Sequence, residues 1–103
     1  MRAEHVSAIE KAIRDLHGAE PVFRTVALVR ETFQGQPVWE GPVYVFDLKG
    51  HETAQTVYGL ACPVDGSDRT EFTTILGEGP IISPLAAVRA YVSFKARGSA
   101  AGS

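Results

Sequence analysis

The sequence predicts an α+β fold in which one helix precedes and one helix follows a four-stranded antiparallel sheet. Apolar residues recur at helical spacing in Ala3–His17 and in Pro84–Lys95, whereas Val22–Leu76 is typical of short strands and turns. Because the connections between successive strands are short, neighbouring strands should pair antiparallel. We therefore expect a meander of order α-β-β-β-β-α, with both helices packed on one face. The order α-β-β-β-α is the alternative.

Both helices have clear boundary signals. Gly18 and Pro21 follow the first helix and oppose its continuation. Ser83 is a typical N-cap residue before the second helix, and Gly98 is expected to end that helix. The two apolar stripes are formed by Val6, Ile9, Ile13 and Leu16, and by Leu85, Val88 and Val92.

Turn residues separate the four predicted strands. Gly41-Pro42 interrupts the second strand and predicts a bulge or bend, because proline cannot donate to the ladder. Alternation in the first strand predicts one face made of Phe23, Thr25, Ala27, Val29, Glu31 and Phe33. The strands are predicted at Val22–Phe33, Val38–Leu48, Ala54–Val64 and Arg69–Leu76.

Length and composition indicate one soluble domain. The chain has 103 residues, a hydrophobic content of 45% and a net charge of −2. We expect a single α+β domain over residues 1–97 and a disordered tail over 98–103. A lone cysteine, Cys62, and the absence of a long apolar run favour a cytoplasmic protein with no membrane partner. The weak net charge argues against a nucleic-acid partner.

The residues that could carry chemistry are few. Asp47, His51 and Glu52 surround one turn, and a carboxylate can orient an imidazole for acid–base work. No nucleophile or oxyanion hole accompanies them, so polar turn chemistry is the competing interpretation. Cys62 is interpreted as a packing residue. Asp65 and Asp68 lack the rest of a calcium loop. We predict no catalytic residue, no metal ligand and no cofactor.

The second face of the predicted sheet is more informative. It is apolar, although a sheet covered on one side should be polar on the other. We therefore expect a second copy of the chain, or another protein, to cover part of it. Trp39 beside Gly41-Pro42 is either a core residue or an aromatic presented to that partner. The predicted interaction surface consists of Trp39, Val43, Val45, Thr73 and Ile75.

Two resemblances accompany these patterns. The first pattern is similar to small bacterial proteins of uncharacterised function, which implies a stand-alone bacterial protein and brings no activity with it. It comprises Trp39-x-Gly41-x-Val43-x-x-Phe46-x-Leu48-x-Gly50-His51, then Ala54 and Tyr58, then Ser83-Pro84-Leu85-x-Ala87-Val88-Arg89.

The second resemblance is to the double-stranded RNA-binding domain. It rests on the element order and on Gly77-x-Gly79, Ser83, Ala86, Ala87 and Ala90. That family places phosphate-binding lysines just after the serine, and here those positions are Pro84 and Leu85. The RNA-binding surface is therefore not carried over to this chain.

These observations favour a non-catalytic module that self-associates or binds a protein partner. A homodimer would form through the exposed sheet face or through an edge strand. Binding of duplex RNA is the first alternative. A small-ligand protein or enzyme with a site near His51 is the second.

Overall fold

The computed structural model describes residues 3–63 and 66–101. Helix α1 (Ala3–His17) comes first and helix α2 (Pro84–Ala101) comes last. Four strands between them pair antiparallel in the order β1-β2-β3-β4, which confirms the predicted class and element order. The strands are β1 (Glu20–Phe33), β2 (Gln36–Lys49), β3 (Thr56–Pro63) and β4 (Thr70–Leu76).

The two helices pack on opposite faces of the sheet, so the prediction that both lie on one face is wrong. Tyr44 and Phe46 of β2 belong to one buried cluster with Ile9 of α1. Val43, next to Tyr44 along the strand, belongs to a second cluster with Val88 of α2. Because successive strand residues point to opposite faces, the clusters lie on opposite sides of the sheet. We call these sides the α1 face and the α2 face.

The alternation predicted for the first strand breaks at Arg24. The pairing of β1 with β2 passes from Phe23↔Phe46 to Thr25↔Val45, so Arg24 is an extra residue in a β-bulge. Phe23 therefore lies on the α1 face. After the bulge, Thr25 and every second residue beyond it lie on the α2 face. A second register shift lies near the hairpin end of the strand.

The sequence predicted a bulge or a bend at Gly41-Pro42, and the bulge is absent. Leu28↔Pro42 and Val29↔Gly41 pair without a register shift. Instead, the pairing of β2 with β3 extends only to Val43. Proline cannot donate a hydrogen bond to β3, which accounts for the end of this ladder. Beyond Val43, toward the β1–β2 hairpin, β2 keeps its partner in β1 and loses the one in β3.

Helix α2 is longer than predicted. Its N-cap is confirmed, since the Ala86 amide donates to Ser83 Oγ at 3.1 Å. The helix then continues through Gly98 to Ala101 rather than ending near Lys95. One glycine inside a helix costs only about 1 kcal/mol relative to alanine, which is too little to impose an end by itself.

Four other predicted positions lie outside the described residues. Val64 was predicted to end the third strand and Asp65 to begin the turn after it. Gly102 and Ser103 belong to the predicted tail.

In the part of the chain that the structure describes, neither helix is long and apolar enough to cross a membrane.

Close packing of α1 against β3 depends on Gly59. A Cβ atom built on Gly59 would lie 2.5 Å from Cγ2 of Ile9 and 2.9 Å from its Cδ1. Ile9 is fully buried and cannot move aside without disturbing the α1 face. The missing side chain of Gly59 is therefore what lets the helix approach the sheet.

We predict that Gly59→Ala lowers the free energy of unfolding by about 2 kcal/mol, because it overpacks the contact with Ile9. Urea denaturation measures this change. In the Ile9→Ala background the same substitution should cost much less, since the clashing atoms are gone. An equal loss of unfolding free energy in both backgrounds would contradict the contact between position 59 and Ile9.

Candidate interaction surface

The polar candidates around the second turn are held by structural contacts. Nδ1 of His51 accepts hydrogen bonds from the backbone amides of Thr53 at 3.2 Å and Ala54 at 3.0 Å. The carboxylate of Asp47 lies 3.3 Å from the Arg24 guanidinium. His51 is thus oriented by backbone amides and Asp47 by a cation. This supports the interpretation as turn chemistry over acid–base chemistry.

The other two histidines also contact the sheet. Nε2 of His17 lies 2.8 Å from Oγ1 of Thr74, and its ring meets the ring of His51 edge-on at 6.4 Å. Nδ1 of His5 lies 3.2 Å from the hydroxyl of Tyr44. Both contacts fix α1 to the sheet, one at each end of the helix.

The acidic candidates within the described residues are not grouped as metal ligands. Glu52 is exposed to solvent. Asp65, which was interpreted with Asp68 as part of a turn without a complete calcium loop, lies outside the described residues. Over residues 3–63 and 66–101, no group of three or more His, Cys, Asp or Glu residues is placed to hold a metal ion.

Cys62 packs beneath α2 beside Tyr91. Burial raises the pKa of the Cys62 thiol, and the hydrogen bond with Tyr91 and the charge of Lys95 only partly oppose that effect. Burial and the contact with Cys62 raise the pKa of Tyr91 well above its ordinary value. A thiol in this environment is a poor nucleophile, which agrees with a packing role.

Trp39 belongs to the same cluster. Its ring meets that of Tyr91 edge-on at 5.8 Å, and it packs against the core of the α2 face. Its indole N–H is buried and has no acceptor among the described residues. The core interpretation of Trp39 therefore accounts for most of its contacts.

The predicted interaction surface on the sheet is covered by this chain's own helix. Val43 is fully buried and Val45 is 5% exposed, both within the cluster that α2 completes. Ile75 packs against the same cluster, and Thr73 is half-buried. The apolar second face does need a cover, as the sequence indicated, but α2 supplies it. Val43 and Val45 are therefore not available to a partner.

The surface that remains open lies along β1. This strand is at one edge of the sheet, and Leu28 near its middle is 85% exposed. Leu28 lies on the α1 face, two residues beyond Val26, which pairs with Tyr44. Because α1 begins beside Tyr44, it leaves Leu28 uncovered. We call the outer side of β1 over Thr25–Glu31 the open edge.

Sequence reasoning did not single out Leu28, although one signal pointed to it. The run Val26-Ala27-Leu28-Val29 is apolar on both sides of the strand. Three of these residues are at least partly covered by the helices or the sheet, and Leu28 is not. The sequence alone could not show which residue of the run lies beyond the end of α1.

We predict that iodoacetamide alkylates Cys62 at pH 8 at least about tenfold more slowly in the folded chain than in urea, because burial lowers the thiolate fraction. Its rate should still be rising with pH above the ordinary pKa of cysteine. Cys62 is the sole cysteine, so mass spectrometry reports on this site alone. Equal folded and unfolded rates would contradict the packing role.

Comparison of the chain with models of protein families, with curated proteins and with solved structures found no match. What this protein binds is therefore inferred from its own surface, its charges and the contacts that its polar groups already make.

Proposed function

We propose that this chain is a non-catalytic module that self-associates by joining the open edges of two copies. The observation that carries the proposal is the position of Leu28, which is 85% exposed near the middle of an unpaired strand edge. An unpaired edge offers backbone donors and acceptors to another strand, and an exposed leucine adds apolar surface to be buried.

The two edges of the sheet differ in how well they are protected. β4, at the far edge, has seven residues and is mostly polar. β1 has fourteen residues, and its central run is apolar with no lysine or proline. Short, polar edge strands resist pairing with other chains, whereas long edges with apolar centres favour it. The open edge of β1 is therefore the better site for a partner strand.

The groups that could support catalysis already have structural roles. Backbone amides occupy Nδ1 of His51, and Arg24 pairs with Asp47. A groove of about 550 Å³ beside the open edge is lined by Leu28, Pro42 and Trp39, but His51 does not contribute to it. Trp39 lies near the start of β2 and His51 just past its end, so the two do not share this groove. This favours a binding role over the small-ligand or enzyme alternative.

The duplex-RNA alternative has less support from the charges. A surface that binds phosphates needs free, clustered cations. Five basic side chains of the described residues lie in ion pairs with carboxylates instead, and each pair neutralises its own cation. These pairs are Lys11–Asp15, Arg14–Glu20, Arg24–Asp47, Arg30–Glu40 and Arg89–Glu31.

Analytical ultracentrifugation over a concentration series tests the proposal. The unaltered chain should approach a dimer as its concentration rises, and Leu28→Lys should weaken the dimer about 30-fold. Half-burial of two leucines contributes about 2 kcal/mol, which is roughly that factor. Two lysines facing each other would add repulsion.

Ile82→Lys is the matched control. Ile82 is 82% exposed, almost as much as Leu28, but it lies in the segment before α2 and away from the open edge. This variant should dimerise as the unaltered chain does. A monomer at every concentration, or an equal effect of both lysines, would refute self-association through the open edge.

A further inference from the structure

The open edge has natural limits. Register shifts interrupt the pairing of β1 with β2 between Phe23 and Thr25 and again between Glu31 and Thr32. The extra residue is Arg24 of β1 at the first shift and Val38 of β2 at the second. A bulge bends its own strand and increases the local twist of the pair, so both shifts disturb the regular course of β1. Only Thr25–Glu31 between these shifts is regular, and Leu28 is its central residue.

We infer that two copies of this chain pair their open edges antiparallel about a two-fold axis that passes through Leu28. This inference rests on the proposed self-association and adds its register. In an isologous contact, both copies contribute the same surface. All of Thr25–Glu31 can therefore pair when the two-fold axis passes through its central residue. The result is one continuous eight-stranded sheet with the β1 strands at its middle.

The side chains fit this register. Leu28 of one copy lies opposite Leu28 of the other, and each covers the most exposed apolar surface of the edge. Val26 lies opposite Arg30, whose aliphatic stem can cover it while the guanidinium stays 3.2 Å from Glu40 of its own copy. On the α2 face, Ala27 lies opposite Val29. No two like charges face each other.

Neighbouring registers fit less well. In an antiparallel ladder, residues that face each other lie on the same side of the sheet. The nearest alternative registers therefore have their two-fold axis one residue away from Leu28, at Ala27 or at Val29. An axis through Ala27 would place Arg24 opposite Arg30, and it would bring the bulge into the new ladder. An axis through Val29 would extend the ladder past Glu31 into the stretch of β1 that pairs with the bulged part of β2 at Val38, where the local twist is greater. The axis through Leu28 avoids both.

Cysteine cross-linking tests the register in a Cys62→Ala background. Leu28→Cys places two thiols directly opposite each other, within reach of a disulfide. With oxidised glutathione this variant should form an interchain disulfide at least about tenfold faster than Arg30→Cys. Two cysteines at position 30 would lie four positions apart along the ladder, roughly 13 Å, which is too far to bridge.

Mixed chains sharpen the test. Val26→Cys and Arg30→Cys should each cross-link poorly alone but form a heterodisulfide when mixed, because this register places residues 26 and 30 opposite each other. If Arg30→Cys alone links as fast as Leu28→Cys while the chain remains a dimer in the ultracentrifuge, the register is wrong and self-association stands. If the chain is a monomer throughout, the proposed function fails as well.

Hydrogen exchange of the unaltered chain keeps the inference testable if the cysteine variants do not fold. Those amides of residues 25–31 that point away from β2 should become at least about tenfold more protected as concentration rises, while those of β4 should not change. Concentration-dependent protection of β4 instead, or of neither edge, would overturn the inference.

Discussion

The fold depends on covering both faces of β2 at once. Val43, Tyr44, Val45 and Phe46 are consecutive and each is at most 5% exposed. Alternate residues of a strand point to opposite sides, so no single layer of helix can bury all four. α1 buries one pair and α2 buries the other. Both helices are therefore required for the core, and neither is an optional addition to the sheet.

The secondary structure was predictable because its signals are local. The helical stripes, the turn residues and the cap at Ser83 each act over a few residues. The placement of α2 was not predictable in the same way, because its stripe of apolar residues fits either face of the sheet. The bulge at Arg24 was also missed, since an inserted residue leaves no mark in composition. That one residue reassigns Phe23 to the other face.

The candidate site shows a similar division. Sequence reasoning recognised that the second face needs a cover, and it could not tell a helix of the same chain from a partner. For His51 the local interpretation as a turn residue agrees with its two backbone hydrogen bonds. Leu28 was missed because its exposure depends on where α1 begins relative to β1, which is a tertiary property. The strand propensity of the residues does not indicate this exposure.

If two copies pair as proposed, the features of β1 favour a closed pair over an open chain of copies. A strand with an apolar centre is an aggregation hazard when its whole edge is regular, since pairing can then occur in many registers. Here the register shifts at both ends leave seven regular residues, Thr25–Glu31. Once two such edges have paired, the strand edges that remain in the described residues include β4, which is short and largely polar, and the start of β2 before Val43, which carries Pro37 and Pro42. An isologous contact of this kind closes on itself, whereas β1 pairing with β4 would repeat indefinitely. In the proposed contact, the irregularities at both ends of Thr25–Glu31 therefore favour a dimer over a fibre.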